Sequence, residues 1–171
     1  MLVATAGRLF AEPEHIVVIR HAEKPDDPAD KNLSEPGRRR AENLVKFFKD
    51  NAELKKFAPP AAIYATGLGK GGKGQRCQQT VKPLAANLGL PVLTPFKAEE
   101  AADLAREVLR DEKRKTLVIC WTKERIPELM AALGVQPVPP KLEEEQYDTV
   151  YVLSHESTGM RVQIIKQDFR P

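Results

Sequence analysis

Arg20 and His21 close a short apolar run, HIVVIR, and between them they hold the two kinds of group that phosphorus chemistry uses. A neutral imidazole nitrogen can attack phosphorus to form a phosphohistidine that water then hydrolyses, which splits one difficult displacement into two easier ones. A guanidinium stays charged, and its fork of N–H donors matches phosphoryl oxygens in bidentate fashion. The Arg-His dipeptide alone is equally well explained by chance. A second arginine, Arg76, stands in the stretch RCQQTVKPLA. Glu23 and Lys24 follow on the same loop; Glu23 could orient a ring or an arginine, and a solvated loop pair is an equally open reading.

These groups need elements to position them. HIVVIR (15–20) is short, β-branched and apolar without alternation, the pattern of a strand buried on both faces. That places Arg20 and His21 at a strand's carboxyl end, where a parallel sheet presents its ligand site. In LSEPGRRRAENLVKFFKD, Ser34 caps a helix, Pro36 fits its first turn, and Leu44, Phe47 and Phe48 share one face. PAAIYA (60–65) reads as the second strand. From Gln75, Val81, Leu84, Ala85 and Leu88 recur at helical spacing until Gly89, and Pro83 is expected to kink or split that helix. LPVL (90–93) reads as a short strand and AEEAADLAREVLRDEKR (98–114) as an amphipathic helix with Ala101, Leu104 and Val108 inward. KTLVIC (115–120) is another buried strand, and IPELMAALG (126–134) a helix opened by Pro127 and closed at Gly134. VQPVPPKLEEEQ reads as a surface connection, and the last segment as a strand hairpin turning around 157–159. Strands alternating with helices predict an α/β fold whose largely parallel sheet is covered on both faces.

The ordered set of motifs resembles the histidine phosphatase superfamily, also called phosphoglycerate mutase-like. VVIRHAEKP is similar to the "RHG" or "RHA" signature that follows the first strand there. LSEPGRRRAENL resembles its "LTEKGRxQA" helix, IYATG its second strand, RCQQTVKPLA its "RAxQTAxPLA" helix, and LVICWTKERIPELMAALG its "VLIVGHGNTIPALLAALG" segment. The likeness runs from about His15 to Gly134. It implies a three-layer α/β/α fold with a mostly parallel central sheet, and a domain over 15–171. It implies His21 as nucleophile and Arg20 and Arg76 as phosphate clamps, with no cofactor and no metal. The compact chain is more similar to small phosphohistidine phosphatases than to sugar-phosphate mutases, so the expected partner is a phosphorylated small molecule or a phosphoprotein.

The chain departs from that pattern at one chemical position. Relatives carry a second histidine in "GHGNTIP", whereas here the stretch is WTKERIP (121–127), and the position falls on Thr122 or Lys123 according to alignment. Lys123 can supply the charge, though without a histidine's near-neutral titration. Of the remaining histidines, His15 is expected at the first strand's entrance, and His155, after a predicted strand, either approaches the pocket or, on the plainer reading, sits on a surface hairpin. Glu99 and Glu100 fall where relatives often place an acidic residue, and equally where a helix's first turn favours one, so the proton donor is left unassigned.

GLGKGGKG (67–74) nearly matches a nucleotide-binding phosphate loop, but Gly74 stands where a magnesium-binding hydroxyl is required. Lys70 and Lys73 could instead cradle an anionic leaving group, or the segment is plain surface loop. The run Arg38, Arg39 and Arg40 reads as an exposed helix face. A net charge of +3 is too small to signal nucleic-acid binding, and no apolar run approaches membrane-spanning length. Cys77 and Cys120 match no metal spacing and read as reduced, buried thiols, a disulfide being the alternative. Residues 1–14 are expected to be a leader remnant or disordered start, with a cytoplasmic protein or one carrying a trimmed secretory leader as the two settings. Two functions remain open: a metal-independent phosphatase acting through phosphohistidine, and an impaired relative that binds phosphate or a phosphorylated ligand.

Overall fold

A computed structural model describes residues 13–110 and 116–169. Residues 1–12, most of the expected leader, and 111–114, the end of the helix expected over 98–114, lie outside the described residues. Among the described residues six strands form one sheet: β1 (His15–Arg20), β2 (Ala62–Ala65), β3 (Val92–Leu93), β4 (Thr116–Trp121), β5 (Thr149–Glu156) and β6 (Gly159–Lys166), in the order β3-β2-β4-β1-β5-β6. The first four run parallel; β5 and β6 form the expected hairpin and join antiparallel through β5 on β1.

Because successive side chains of a strand point to opposite faces, β1 feeds two cores. Val17 and Ile19 pack with Ile63, Val118 and Cys120 beneath helices α1 (Glu35–Asp50) and α2 (Gln75–Leu88). Ile16 and Val18 pack with Tyr64, Leu117 and Ile119 beneath α3 (Ala101–Leu109) and α4 (Ile126–Ala132). This is the three-layer α/β/α arrangement that the unbroken apolar strands imply.

Local chemistry explains the helix ends. Ser34 Oγ accepts the Gly37 N–H at 3.1 Å and starts α1, and Gly89, at a φ of 67°, ends α2. Pro83 neither splits nor ends α2, which runs unbroken through it; burial of Val81, Leu84 and Ala85 around the proline outweighs the hydrogen bond it removes. A single 3₁₀ turn, Ala98–Glu100, precedes α3. No helix among the described residues is long and apolar enough to cross a membrane.

Two expectations about surface segments fail. Arg38 and Arg39 are exposed, but Arg40 is buried in α1, because the side of the helix facing the β1–α1 loop offers it the Glu23 carboxylate. The segment after α4 is also more than a surface connection. Leu142 and Tyr147 are buried, and the backbone between them lies over Arg20.

Candidate functional site

Neighbouring parallel strands β1 and β4 align Arg20 with Trp121. Arg20–His21 and Thr122–Lys123 therefore leave the sheet side by side at its carboxyl edge. The chain after β1 continues to α1 on one face, and the chain after β4 to α4 on the other. Such a divergence opens a crevice above the strand ends, where α/β sheets bind ligands. A cavity of about 460 Å³ occupies it, lined among others by Arg20, His21, Arg76, Thr122 and Lys123.

His21 is 9% exposed. Its Nδ1 lies 2.7 Å from the Ala22 carbonyl oxygen, which can only accept, so Nδ1 carries the hydrogen and Nε2 keeps a lone pair. Burial, opposed by that hydrogen bond and reinforced by the charges of Arg20 and Arg76, lowers its pKa to about 4. The ring is therefore neutral at physiological pH, the form a nucleophilic imidazole requires.

Arg20 is 2% exposed, which is unusual for a charged side chain. One of its terminal nitrogens donates to the carbonyls of Glu143, Glu144 and Gln146 at 3.0, 2.8 and 3.3 Å. Its guanidinium carbon lies 3.9 Å from the centre of the Tyr147 ring, and its Nε is buried without a partner among the described residues. Burial lowers its pKa, opposed chiefly by Tyr147 and Glu144.

Arg76 sits in the first turn of α2. Its Nε donates to the Asn32 carbonyl at 3.0 Å and its Nη2 to the Asp30 carbonyl. The α2 backbone is tied to the His21 loop as well, since Thr80 Oγ1 donates to the Arg76 carbonyl at 2.7 Å and accepts the Ala22 N–H at 2.9 Å. Gly74, which precedes α2 at a φ of 94°, is required by space: a Cβ there would lie 2.5 Å from the Gly67 carbonyl oxygen.

Glu23 orients an arginine and not the ring. Both its oxygens accept from Arg40 Nε, at 2.8 and 3.0 Å, and its backbone carbonyl accepts the Ser34 N–H at 3.0 Å. A Cβ on Gly37 would approach that carbonyl to 2.3 Å, so glycine permits the loop and α1 to touch. Thr122 lines the cavity, and its carbonyl accepts the N–H groups of Arg125 and Ile126. Lys123 is 8% exposed, and its ammonium pairs with Glu144. Lys24 pairs with the other oxygen of the same carboxylate. Hydrogen bonds from Lys123 and then Lys24 lower the Glu144 pKa to about 2, which keeps it ionised.

Glu144 and Arg40 are two of the residues that sequence reasoning missed. Glu144 stands in a charged run with no periodicity, and Arg40 was hidden among three consecutive arginines; a helical count placing Arg40 beside buried Ala41, Leu44 and Phe47 would have found the second. Lys73 and Glu99 also line the cavity, whereas Lys70 and Glu100 are not among its lining. His15 stacks on Phe57 at the amino end of β1, and His155 lies exposed on β5. Cys77 and Cys120 are free thiols, both buried, as expected.

The fold, as distinct from the side chains of the cavity, recurs in solved structures. The protein histidine phosphatase SixA complexed with tungstate superposes with a TM-score of 0.64 at 13% identity, over 89% of this chain and 96% of that one. The alpha-ribazole phosphatase of Shigella flexneri gives 0.61 at 11% identity, over 90% and 96%. The chain has the histidine phosphatase fold. A phosphoserine phosphatase variant from Entamoeba histolytica, in complex with phosphoserine, shares this histidine phosphatase fold with a TM-score of 0.57 at 13% identity, over 87% and 94%. No protein-family model and no curated protein matches the sequence, so the likeness is carried by backbone geometry.

Proposed function

We propose that the chain is a phosphatase that passes a phosphoryl group from a phosphomonoester or phosphohistidine to Nε2 of His21 and then to water. The observation that carries this reading is a neutral, buried imidazole with Nδ1 fixed by the Ala22 carbonyl, lining one cavity with Arg20 and Arg76. As the N–P bond forms, the bond to the leaving group breaks and the leaving atom takes a proton from water; a second water then attacks phosphorus, the N–P bond breaks and His21 is returned with release of phosphate. Arg20 and Arg76 hold the phosphoryl oxygens while their charge redistributes, and Lys123 stands in for the second histidine of the family pattern. The chemistry needs no metal. An open cavity of about 460 Å³ suits a phosphorylated small molecule or a phosphorylated side chain. Two free thiols fit a cytoplasmic setting.

The test is turnover of an aryl phosphate by the wild type and by His21→Ala. Loss of roughly a thousandfold or more on removing the nucleophile is expected. Equal rates in the two proteins would sink the reading.

A second reading, a phosphate-binding relative that does not turn over, is favoured by the ion pair that engages Lys123 with Glu144. Loss of one electrostatic partner of the transferring group typically costs about 10²- to 10³-fold in rate. Calorimetry would then find phosphate binding without product release. A large gain in rate in Thr122→His or Lys123→His would show instead that the pocket is otherwise competent.

A further inference from the structure

The cavity around His21 holds more positive charge than one phosphoryl group uses. Among the described residues seven lysines and arginines line it, against three glutamates. Glu144 is engaged by Lys24 and Lys123, and Arg125 pairs with Glu128 outside the cavity. Arg20 and Arg76 flank His21. That leaves Lys31 and Lys73, neither of which has a carboxylate partner among the described residues.

These two lysines come from loops about forty residues apart and meet at Gly72. A Cβ on Gly72 would lie 3.3 Å from Lys31 Cγ, so the Lys31 stem lies directly against the loop that carries Lys73. Positive φ values of 68° and 76° at Gly71 and Gly72 turn that loop back on itself just before Lys73.

Lys31 is held in place by its neighbours. Arg76 donates to the carbonyls on either side of it, at Asp30 and Asn32. The Asn32 side-chain oxygen accepts from Gln75 at 2.7 Å and from Gln79 at 2.8 Å, and Asp30 Oδ1 accepts the Asn32 N–H at 2.8 Å. The start of α2 thus clips a three-residue loop whose central side chain lines the cavity. The Lys31 ammonium donates to the Pro28 carbonyl, which uses one of its three hydrogens. Lys73 makes no side-chain hydrogen bond among the described residues.

The other side of the argument is what the walls lack. Among the described residues no large apolar or aromatic side chain lines the cavity, whose least polar side chains are Ala98 and Cys77. An ester of an apolar alcohol finds no surface there on which to bury its leaving group.

We propose that Lys31 and Lys73 form a second anion subsite, and that the substrate carries a further phosphate or carboxylate beside the phosphoryl group that reacts at His21. The proposal rests on the phosphatase reading of His21 and narrows its substrate to doubly anionic compounds. Lysines suit the task because an ammonium binds as a point charge and tolerates either anion.

Calorimetry with hydrolysis-resistant probes tests it: butylphosphonate against butane-1,4-diylbisphosphonate, near physiological ionic strength so that diffuse attraction is screened. Charge-assisted hydrogen bonds to the second group should make the bisphosphonate about tenfold or more tighter in the wild type. In Lys31→Gln/Lys73→Gln, which keeps the aliphatic stems and so the fold, that ratio should fall to about two, the statistical factor for a ligand with two equivalent ends. Lys46→Gln/Lys49→Gln on α1 removes the same charge elsewhere and should keep the wild-type ratio. 4-Phosphonobutanoate identifies the second anion: a shared gain makes it either group, and a gain confined to the bisphosphonate makes it phosphate. A wild-type ratio near two, or a high ratio that survives in the lysine double variant, overturns the subsite. Failure of butylphosphonate itself to bind would overturn the phosphate cavity, a different result from either.

Discussion

The two walls of the cavity hold their cations in opposite ways. On the α2 side, Arg76 is fixed by the carbonyls of Asp30 and Asn32, neutral acceptors that fix its position and leave its charge uncancelled. On the side of the segment 143–147, the carbonyls of Glu143, Glu144 and Gln146 do the same for Arg20, but the Glu144 carboxylate also engages Lys24 and Lys123. One wall offers its charge to a ligand, and the other uses much of its charge within the protein. An anion that enters therefore meets Arg76 directly and competes with Glu144 for Lys123.

The contrast is broken most severely at Arg20. Arg20→Ala strands three carbonyls and removes the partner of the Tyr147 ring, and should cost about 3–4 kcal/mol in urea denaturation. Arg76→Ala, whose partners lie nearer water, should cost within about 1 kcal/mol while lowering kcat/KM by roughly a hundredfold. Equal destabilisation in the two variants would erase the distinction between the walls.

Between the walls, His21 gives a pH signature. Its folded pKa of about 4 lies below the ordinary 6.5, so between those values the unfolded chain takes up a proton that the folded one refuses. Stability should fall as pH is lowered through that window, by roughly 3 kcal/mol in all, and show no slope from this group above it. His21→Gln should flatten the profile; an unchanged slope would mean that the ring is not the group responsible.

Gly74→Ala sharpens the α2 side alone. The new Cβ would press on the Gly67 carbonyl at a φ of 94°, and a loss of about 2 kcal/mol is expected from such strain. Phosphate affinity should drop with it as the start of α2 shifts, and a shift in the urea midpoint without that drop would separate the turn from the site.

The smallest effect belongs to Glu144→Gln. Freeing Lys24 and Lys123 should raise phosphate affinity roughly threefold to fivefold, the scale of a half-exposed ion pair, with the gain fading as salt is added. Weaker binding in calorimetry would show that Glu144 positions Lys123 more than it competes for it.

How much of this was legible in the sequence follows the range of the interactions. β1, α1, α2 and β4 could be read because burial on two faces leaves unbroken apolar runs, and because caps such as Ser34 and Gly89 act on residues within a turn. Arg20 and His21 could be placed because they stand at the carboxyl end of such a strand, whereas Arg76 was named only through the likeness of RCQQTVKPLA to a family motif. Glu23 could be named as an orienting carboxylate, but its partner Arg40, seventeen residues on, could not.

The sequence by itself determined which strands are buried, where α1, α2 and α4 begin, that an imidazole and a guanidinium stand at a strand end, and that a second guanidinium opens a helix. The tertiary structure alone decided that the proline-rich and acidic segment after α4 folds over Arg20, that Glu144 bridges two lysines, and that Lys31 and Lys73 meet at one glycine. The physical reason is separation along the chain: Arg20 finds its carbonyls more than 120 residues away, and contacts of that kind impose no period and no local spacing on the residues that make them.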